Sequence, residues 1–201
     1  MRIRPKRRLP ANQRRQSILD AAMSVLSAEG YAGTTTARVA QRVGISEPIL
    51  YRHFSSKRDL LRALLDEIIT RMLAAFQELI KEQTDPVKAL RLICHAYPEL
   101  SQRYEREFRI INQTLVQTDD PKTQEMLADH YRAYHAFLEK LIAQGQKSGV
   151  FRRDIPASVG AWHIIQAALG YLMTQNIRPV YSSRDFASLT NVILEGLMKI
   201  A

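Results

Sequence analysis

Residues 34–61 read TTTARVAQRVGISEPILYRHFSSKRDLL. One short run of helical periodicity closes on Gly44, a second opens behind Ser46 with Pro48 in its first turn, and a third opens behind Ser56. Val39, Ala40 and Val43 share a face of the first run, for which Thr34, Thr35 or Thr36 offers an N-cap. Pro48 is tolerated in a first turn because no intrahelical N–H bond is lost there, and Ile45 and Leu50 have the spacing of a hydrophobic staple. The second helix is expected over residues 47–54, with Ile45, Leu50 and Phe54 inward. Two short helices joined by a glycine-containing turn predict a helix-turn-helix.

Charge points the same way. Residues 1–58 hold twelve Lys and Arg against three acids, whereas residues 59–201 hold seventeen of each. The net charge of +9 is therefore confined to the first segment, as expected of a nucleic-acid-binding head on a neutral body. The first eleven residues, with Arg2, Arg4, Lys6, Arg7 and Arg8, read as a flexible basic arm suited to a DNA backbone or minor groove. Lys57 and Arg58 stand at the start of a helix, where cations are unfavourable unless an anion meets them. A DNA phosphate is the natural candidate, held by Lys57 and the free amides of that first turn.

The rest of the chain is expected to be helical too. Ile18, Leu19, Ala22, Val25 and Leu26 mark a first helix from about residue 12 to Gly30. Ser56, with Asp59 three residues on, starts a fourth helix whose apolar face runs from Leu60 to Ile80, roughly 35–40 Å. Further helices are read over 86–101, 104–116, 121–147, 157–176 and 184–200, the last capped by Ser182 or Ser183. The sum is an all-α chain of about nine helices: the arm (1–11), a helix-turn-helix DNA-binding domain (12–55), and a C-terminal helical body (56–201).

The function classes narrow accordingly. Cys94 is the single cysteine, which leaves no internal disulfide and no thiolate metal cluster. His130 and His135 are five apart and off-face, so no metal site is expected. No phosphate-binding glycine loop, nucleophile elbow or catalytic dyad is visible, so no catalytic residue, cofactor or enzymatic activity is expected. The N-terminus lacks the apolar run of a signal peptide and no segment reaches roughly 18 apolar residues, which predicts a cytoplasmic, nucleoid-associated protein with no membrane partner.

On the recognition helix, Arg52 suits a guanine edge, Glu47 a cytosine amino group, and Pro48 or Ile49 a thymine methyl. Glu47 reads equally well as an ordinary acid at a helix N-terminus. Thr36, Tyr51 and His53 suit phosphate oxygens, and Thr35 and Ser46 complete the DNA-facing set with Lys57.

The stretch GYAGTTTARVAQRVGISEPILYRHFSSKRDLL resembles the signature of the tetracycline-repressor (TetR/AcrR) family over roughly residues 12–62. The resemblance implies phosphate contacts for Thr36, Tyr51, His53 and Lys57 and base-region contacts for Glu47, Pro48, Ile49 and Arg52. Pro48 stands where many members carry Gly. It further implies a bacterial, nine-helix homodimer whose C-terminal helices (56–201) form an effector-binding and dimerisation domain, and which binds double-stranded DNA at a palindromic operator and represses transcription until a small-molecule effector releases it. An alternative is a DNA-binding adaptor whose body takes a protein partner, as in the nucleoid-occlusion members; a third is a nonspecific nucleic-acid binder.

For the body, Phe108, Ile111, Met126, Tyr131, Tyr134, Trp162 and His163 are candidate effector contacts, each also readable as core. Ala161, Ile165, Ala168, Leu172, Leu189, Val192, Ile193, Gly196 and Leu197 make the last two helices apolar enough to pair with their copies in a four-helix dimer interface.

Overall fold

A computed structural model describes residues 10–175 and 182–199, with nine α-helices among them. The basic arm up to residue 9, the expected extension of the eighth helix to Asn176 and the expected end of the ninth at Ile200 lie outside the described residues, and the ninth helix already stops at Leu197, where Met198 turns to extended backbone. The chain divides into two units, residues up to Ile68 with Arg109–Asp119, and Ile69–Phe108 with the rest. The expected 12–55 head thus falls inside a unit that also takes the start of the fourth helix and a segment of the sixth.

In the first unit, α1 (Ala11–Gly33) is broken at Gly30, whose φ of 70° lies in the left-handed region and lets the chain turn toward α2. Helix α2 (Thr36–Val43) is capped by Thr35, whose side chain accepts from the Arg38 amide at 3.2 Å, and ends at a left-handed Gly44. Of the expected inward residues, Val39 and Ala40 are buried and Val43 is half-buried. Helix α3 is shorter than the periodicity suggests, Glu47–Tyr51; Arg52 and His53 form a turn that still closes on the Ile49 and Leu50 carbonyls. Ser46 holds the N-cap position without a side-chain bond. Pro48 accounts for this in part, since it removes the second amide that a cap would satisfy.

Helix α4 (Lys57–Leu79) runs from the first unit into the second. Its start is closed by two exchanges: Ser56 Oγ accepts from the Asp59 amide at 3.1 Å, and Asp59 accepts from the Ser55 amide at 2.7 Å. In the second unit, α5 (Pro86–Arg103), α7 (Pro121–Lys147), α8 (Ala157–Gln175) and α9 (Ser183–Leu197) enclose an apolar core, with α7 on α8 and α9 on both α5 and α8. Helix α6 (Glu105–Gln117) supplies Phe108 to this core. Asp85 and Asp120 cap α5 and α7, and Ser182 with Asp185 forms a complete capping box on α9. Cys94 is buried in the core, its thiol pushed up to about 12 by desolvation, which removes it from thiolate chemistry. An isolated antiparallel bridge joins Phe151, after α7, to Met198, after α9.

Candidate nucleic-acid interface

Helix α3 is anchored by Leu50, which is fully buried, and by Phe54 just beyond it. One helical turn separates the two side chains, so the intervening residues are turned outward. Pro48, Ile49, Tyr51 and Arg52 are exposed, while Glu47 and His53 are half-buried. The outward face therefore carries a guanidinium, a phenol, an isoleucine and a proline ring, the mixture that base edges and thymine methyls can meet in a major groove.

Three expected DNA contacts are also bound to one another. Thr36 Oγ1 donates to Glu47 Oε1 at 2.7 Å and lies 3.2 Å from the Tyr51 hydroxyl. The pairing ties the first residue of α2 to both ends of α3. Lys57 is placed differently from a freely extended cation: its Nζ donates to the Tyr31 carbonyl at 3.1 Å and sits 5.0 Å from the Tyr31 ring centre. A lysine with three donors keeps capacity for an anion after one such bond. The amides of Lys57 and Arg58 have no acceptor among the described residues, so the first turn of α4 retains two donors beside that ammonium. Arg15 covers the Phe54 ring at 5.0 Å, and Arg38 pairs with Glu29, so those two cations are partly committed inside the unit. The sequence reading passed over Arg42, exposed in the last turn of α2; its only signal was a basic residue beside the glycine turn.

The candidate effector residues do not come together as one set. Phe108, Tyr131 and Tyr134 pack on the core of the second unit, Met126 is half-buried, and Ile111 is buried in the first unit. Trp162 and His163 are exposed on α8, with the Trp162 ring tilted against His135 at 4.9 Å between ring centres. The core instead gathers Phe76, Tyr97, Phe108 and Tyr134 in successive ring contacts, with His130 edge-on to Tyr134 at 4.5 Å. His130 Nδ1 and the Tyr134 hydroxyl are buried without a hydrogen-bond partner. Burial lowers the His130 imidazole to about 4, so it is neutral at physiological pH. A narrow apolar crevice, too tight to admit a water molecule, lies among Met72, Ala75, Phe76, Leu100, Tyr104 and Phe108. A roomier groove, about 480 Å³, opens at Gly149–Asp154 and Lys199, where none of the expected effector residues lies.

On the last two helices, Ala161, Ile165, Leu172 and Leu197 belong to the core of their own unit, and Ala168 and Ile193 are packed against it. Exposed apolar surface is provided by Leu189 and Val192 on α9 and by Val159, Trp162 and Met173 on α8, of which the sequence reading assigned only the first two to an interface; Gly196 is exposed.

A helix-turn-helix with an exposed polar recognition helix on a basic segment, followed by a helical body, defines a DNA-binding transcriptional regulator. Residues 18–64 match the family described as bacterial regulatory proteins, tetR family, and residues 62–178 match the YsiA-like protein C-terminal region. The chain belongs to the tetR family of bacterial regulatory proteins. It is 32% identical over 104 residues to the HTH-type transcriptional activator FasR of Mycolicibacterium smegmatis, 52% of this chain and 48% of that protein. It is 30% identical over 142 residues to the nucleoid occlusion factor SlmA of Marinobacter nauticus, covering 71% of each. The fold is that of the transcriptional regulator FadR from Bacillus subtilis, solved in complex with stearoyl-CoA, with a TM-score of 0.75, 21% identity, and 91% of this chain aligned to 97% of that one. Among the described residues no helix is long and apolar enough to cross a membrane.

Proposed function

We propose that the chain is a homodimeric repressor that binds a palindromic operator through α2, α3 and the start of α4, and is released by a small molecule held in the second unit. The observation that carries the DNA half is the exposure of Ile49 on α3 and of Arg52 in the turn that closes it, on either side of the buried Leu50. Arg52 reads guanine, Ile49 and Pro48 meet thymine methyls, and Thr36, Tyr51, His53 and Lys57 hold phosphates. Ser46 and Thr35, the N-cap residues of α3 and α2, complete the DNA-facing set.

The effector half is supported by the two buried polar atoms of His130 and Tyr134. A buried donor or acceptor without a partner costs roughly 1–3 kcal/mol, which a ligand oxygen placed between the aromatic rings would recover. Neutral His130 and a neutral phenol favour an uncharged polar group on an otherwise apolar ligand. Expansion of the crevice at Met72 and Phe76 would accompany binding. Both residues lie on α4, the helix that also carries Lys57, and the displacement would travel along it to the phosphate contact.

A second reading, a DNA-binding adaptor with a protein partner, is favoured by the small size of that crevice and by the SlmA relative. Selection of bound fragments from genomic DNA separates the possibilities. A palindromic site whose discrimination falls roughly 5- to 100-fold in Arg52→Ala is the expected outcome, corresponding to the loss of one base contact. Recovery of no preferred sequence would remove the sequence-specific reading. A single operator affinity across a screen of uncharged ligands would move the body to the adaptor reading.

A further inference from the structure

We infer that Glu47 is a latch on the phosphate-binding hydroxyls, an internal anion parked against them until a base edge draws it away. The inference rests on the proposed phosphate contacts of Thr36 and Tyr51. A hydroxyl has one proton to give. Thr36 gives its proton to Glu47 Oε1 at 2.7 Å, so the 3.2 Å contact between Thr36 and Tyr51 is made with the Tyr51 proton. The relay runs from Tyr51 to Thr36 to Glu47, and neither hydroxyl has a proton left for a DNA phosphate. A phosphate reaching this pair must therefore re-aim both protons and approach a carboxylate that already holds one of them.

Charge sets the direction of the effect. A carboxylate and a phosphate oxygen within a few ångströms repel, and this repulsion acts on every DNA sequence alike. The compensation does not act alike. Glu47 is the first residue of α3, at the end of the recognition helix that enters the major groove, where a cytosine amino group can donate to it. On a duplex that offers such a donor, the carboxylate exchanges Thr36 for the base and the two hydroxyls turn to the phosphate. On a duplex without one, the carboxylate stays and phosphate binding is weakened. Glu47 is thus a specificity-determining residue that acts by penalising wrong DNA, in addition to any direct contact with right DNA.

The test uses the full chain as wild type, Glu47→Gln and Glu47→Ala, titrated with a random-sequence duplex and with the site recovered by selection. Glutamine keeps an oxygen acceptor for Thr36 and removes the charge. Binding of Glu47→Gln to the random duplex is expected to tighten roughly 3- to 10-fold at low salt, with the gain shrinking as salt rises, while affinity for the selected site changes little or falls. Discrimination falls by the product of the two. Glu47→Ala, with no acceptor at all, is expected to bind the random duplex at least as tightly as wild type. If Glu47 merely positions the two hydroxyls, Glu47→Ala weakens both duplexes and Glu47→Gln leaves them unchanged, and the latch is overturned. Tyr51→Phe in wild-type and Glu47→Gln backgrounds separates the premise from the inference. Loss of affinity in both backgrounds supports the phosphate contact, whereas unchanged affinity in both removes it and the latch together.

Discussion

His130 is an imidazole kept neutral by its burial. Burial lowers its imidazole from 6.5 to about 4, and its ring faces Tyr131 and Tyr134, whose phenols are pushed upward by burial and stay neutral across the same range. The unfolded chain takes up this proton near 6.5 and the folded chain only near 4, so the unfolded state binds more protons between the two values. Stability contributed by this group is full above 6.5, declines by up to about 1.4 kcal/mol per pH unit as pH falls, and levels off below about 4. Denaturant unfolding of wild type and His130→Gln between about pH 7 and about pH 4.5 should show the variant losing less, with the gap between the two curves changing by roughly 2 kcal/mol. An identical pH dependence in both proteins would mean that folding does not lower the affinity of this imidazole for a proton. At this scale the sequence named residues without their partners. Thr36, Glu47 and Tyr51 were legible as DNA-facing types, but a hydrogen bond between residues 36 and 47 depends on how α2 and α3 cross, which no local spacing encodes.

Among the elements, the turn after α7 shows what periodicity omits. Gly149 and Pro156 mark GVFRRDIP as a loop in the sequence, and the structure agrees, yet the residue that fixes the loop is Gly145, within the helix. A Cβ at Gly145 would lie 2.1 Å from the Phe151 ring. That ring is buried, and its backbone is held by the Phe151 amide to Gly145 at 3.1 Å, Arg152 to Leu197 at 2.9 Å and Lys199 to Val150 at 3.0 Å. Alanine in a helix interior gains about 1 kcal/mol over glycine, whereas overpacking a held ring costs roughly 1–3 kcal/mol or more. The contact wins. Gly145→Ala should lower the unfolding free energy by roughly 1–2 kcal/mol, and the double variant Gly145→Ala, Phe151→Leu should restore part of the Gly145→Ala loss when measured against Phe151→Leu alone. A stabilised Gly145→Ala would show that the loop moves aside at little cost. Helix α3 makes the complementary point: its periodicity through residue 54 is real, since Leu50 and Phe54 are both buried, but the backbone leaves the helix after Tyr51. Apolar spacing reports where side chains face, and a closing turn satisfies it as well as a helix does.

At the scale of the whole molecule, α8 and α9 carry the question of assembly. Sequence alone read both helices as apolar; α8 is apolar on most of its surface, whereas α9 is amphipathic, and where apolar residues spread round a helix its core face cannot be told from an interface by spacing. The structure divides them: Ala161, Ile165, Leu172 and Leu197 fill the core, while Val192 is 65% exposed, Trp162 43% and Leu189 41%. Leu189 and Val192, one helical turn apart on α9, make the proposed dimer surface, and a palindromic operator requires such a surface, because one short recognition helix reads only a half-site. An aspartate there would bury a charge without a counter-charge in the dimer and remain solvated in the monomer, so Val192→Asp selects against association without disturbing the core. In sedimentation equilibrium the variant should be monomeric at concentrations where wild type is a dimer, with its thermal transition no longer dependent on concentration. Operator affinity should then fall by more than tenfold, since two tethered heads bind with an effective concentration that separate heads lack. Random-sequence binding per head should change far less, because its phosphate contacts lie wholly within one copy of the head. If Val192→Asp stays dimeric, the interface lies elsewhere on the second unit; if it becomes monomeric and keeps operator affinity, recognition is complete within one copy and the operator need not be two-fold.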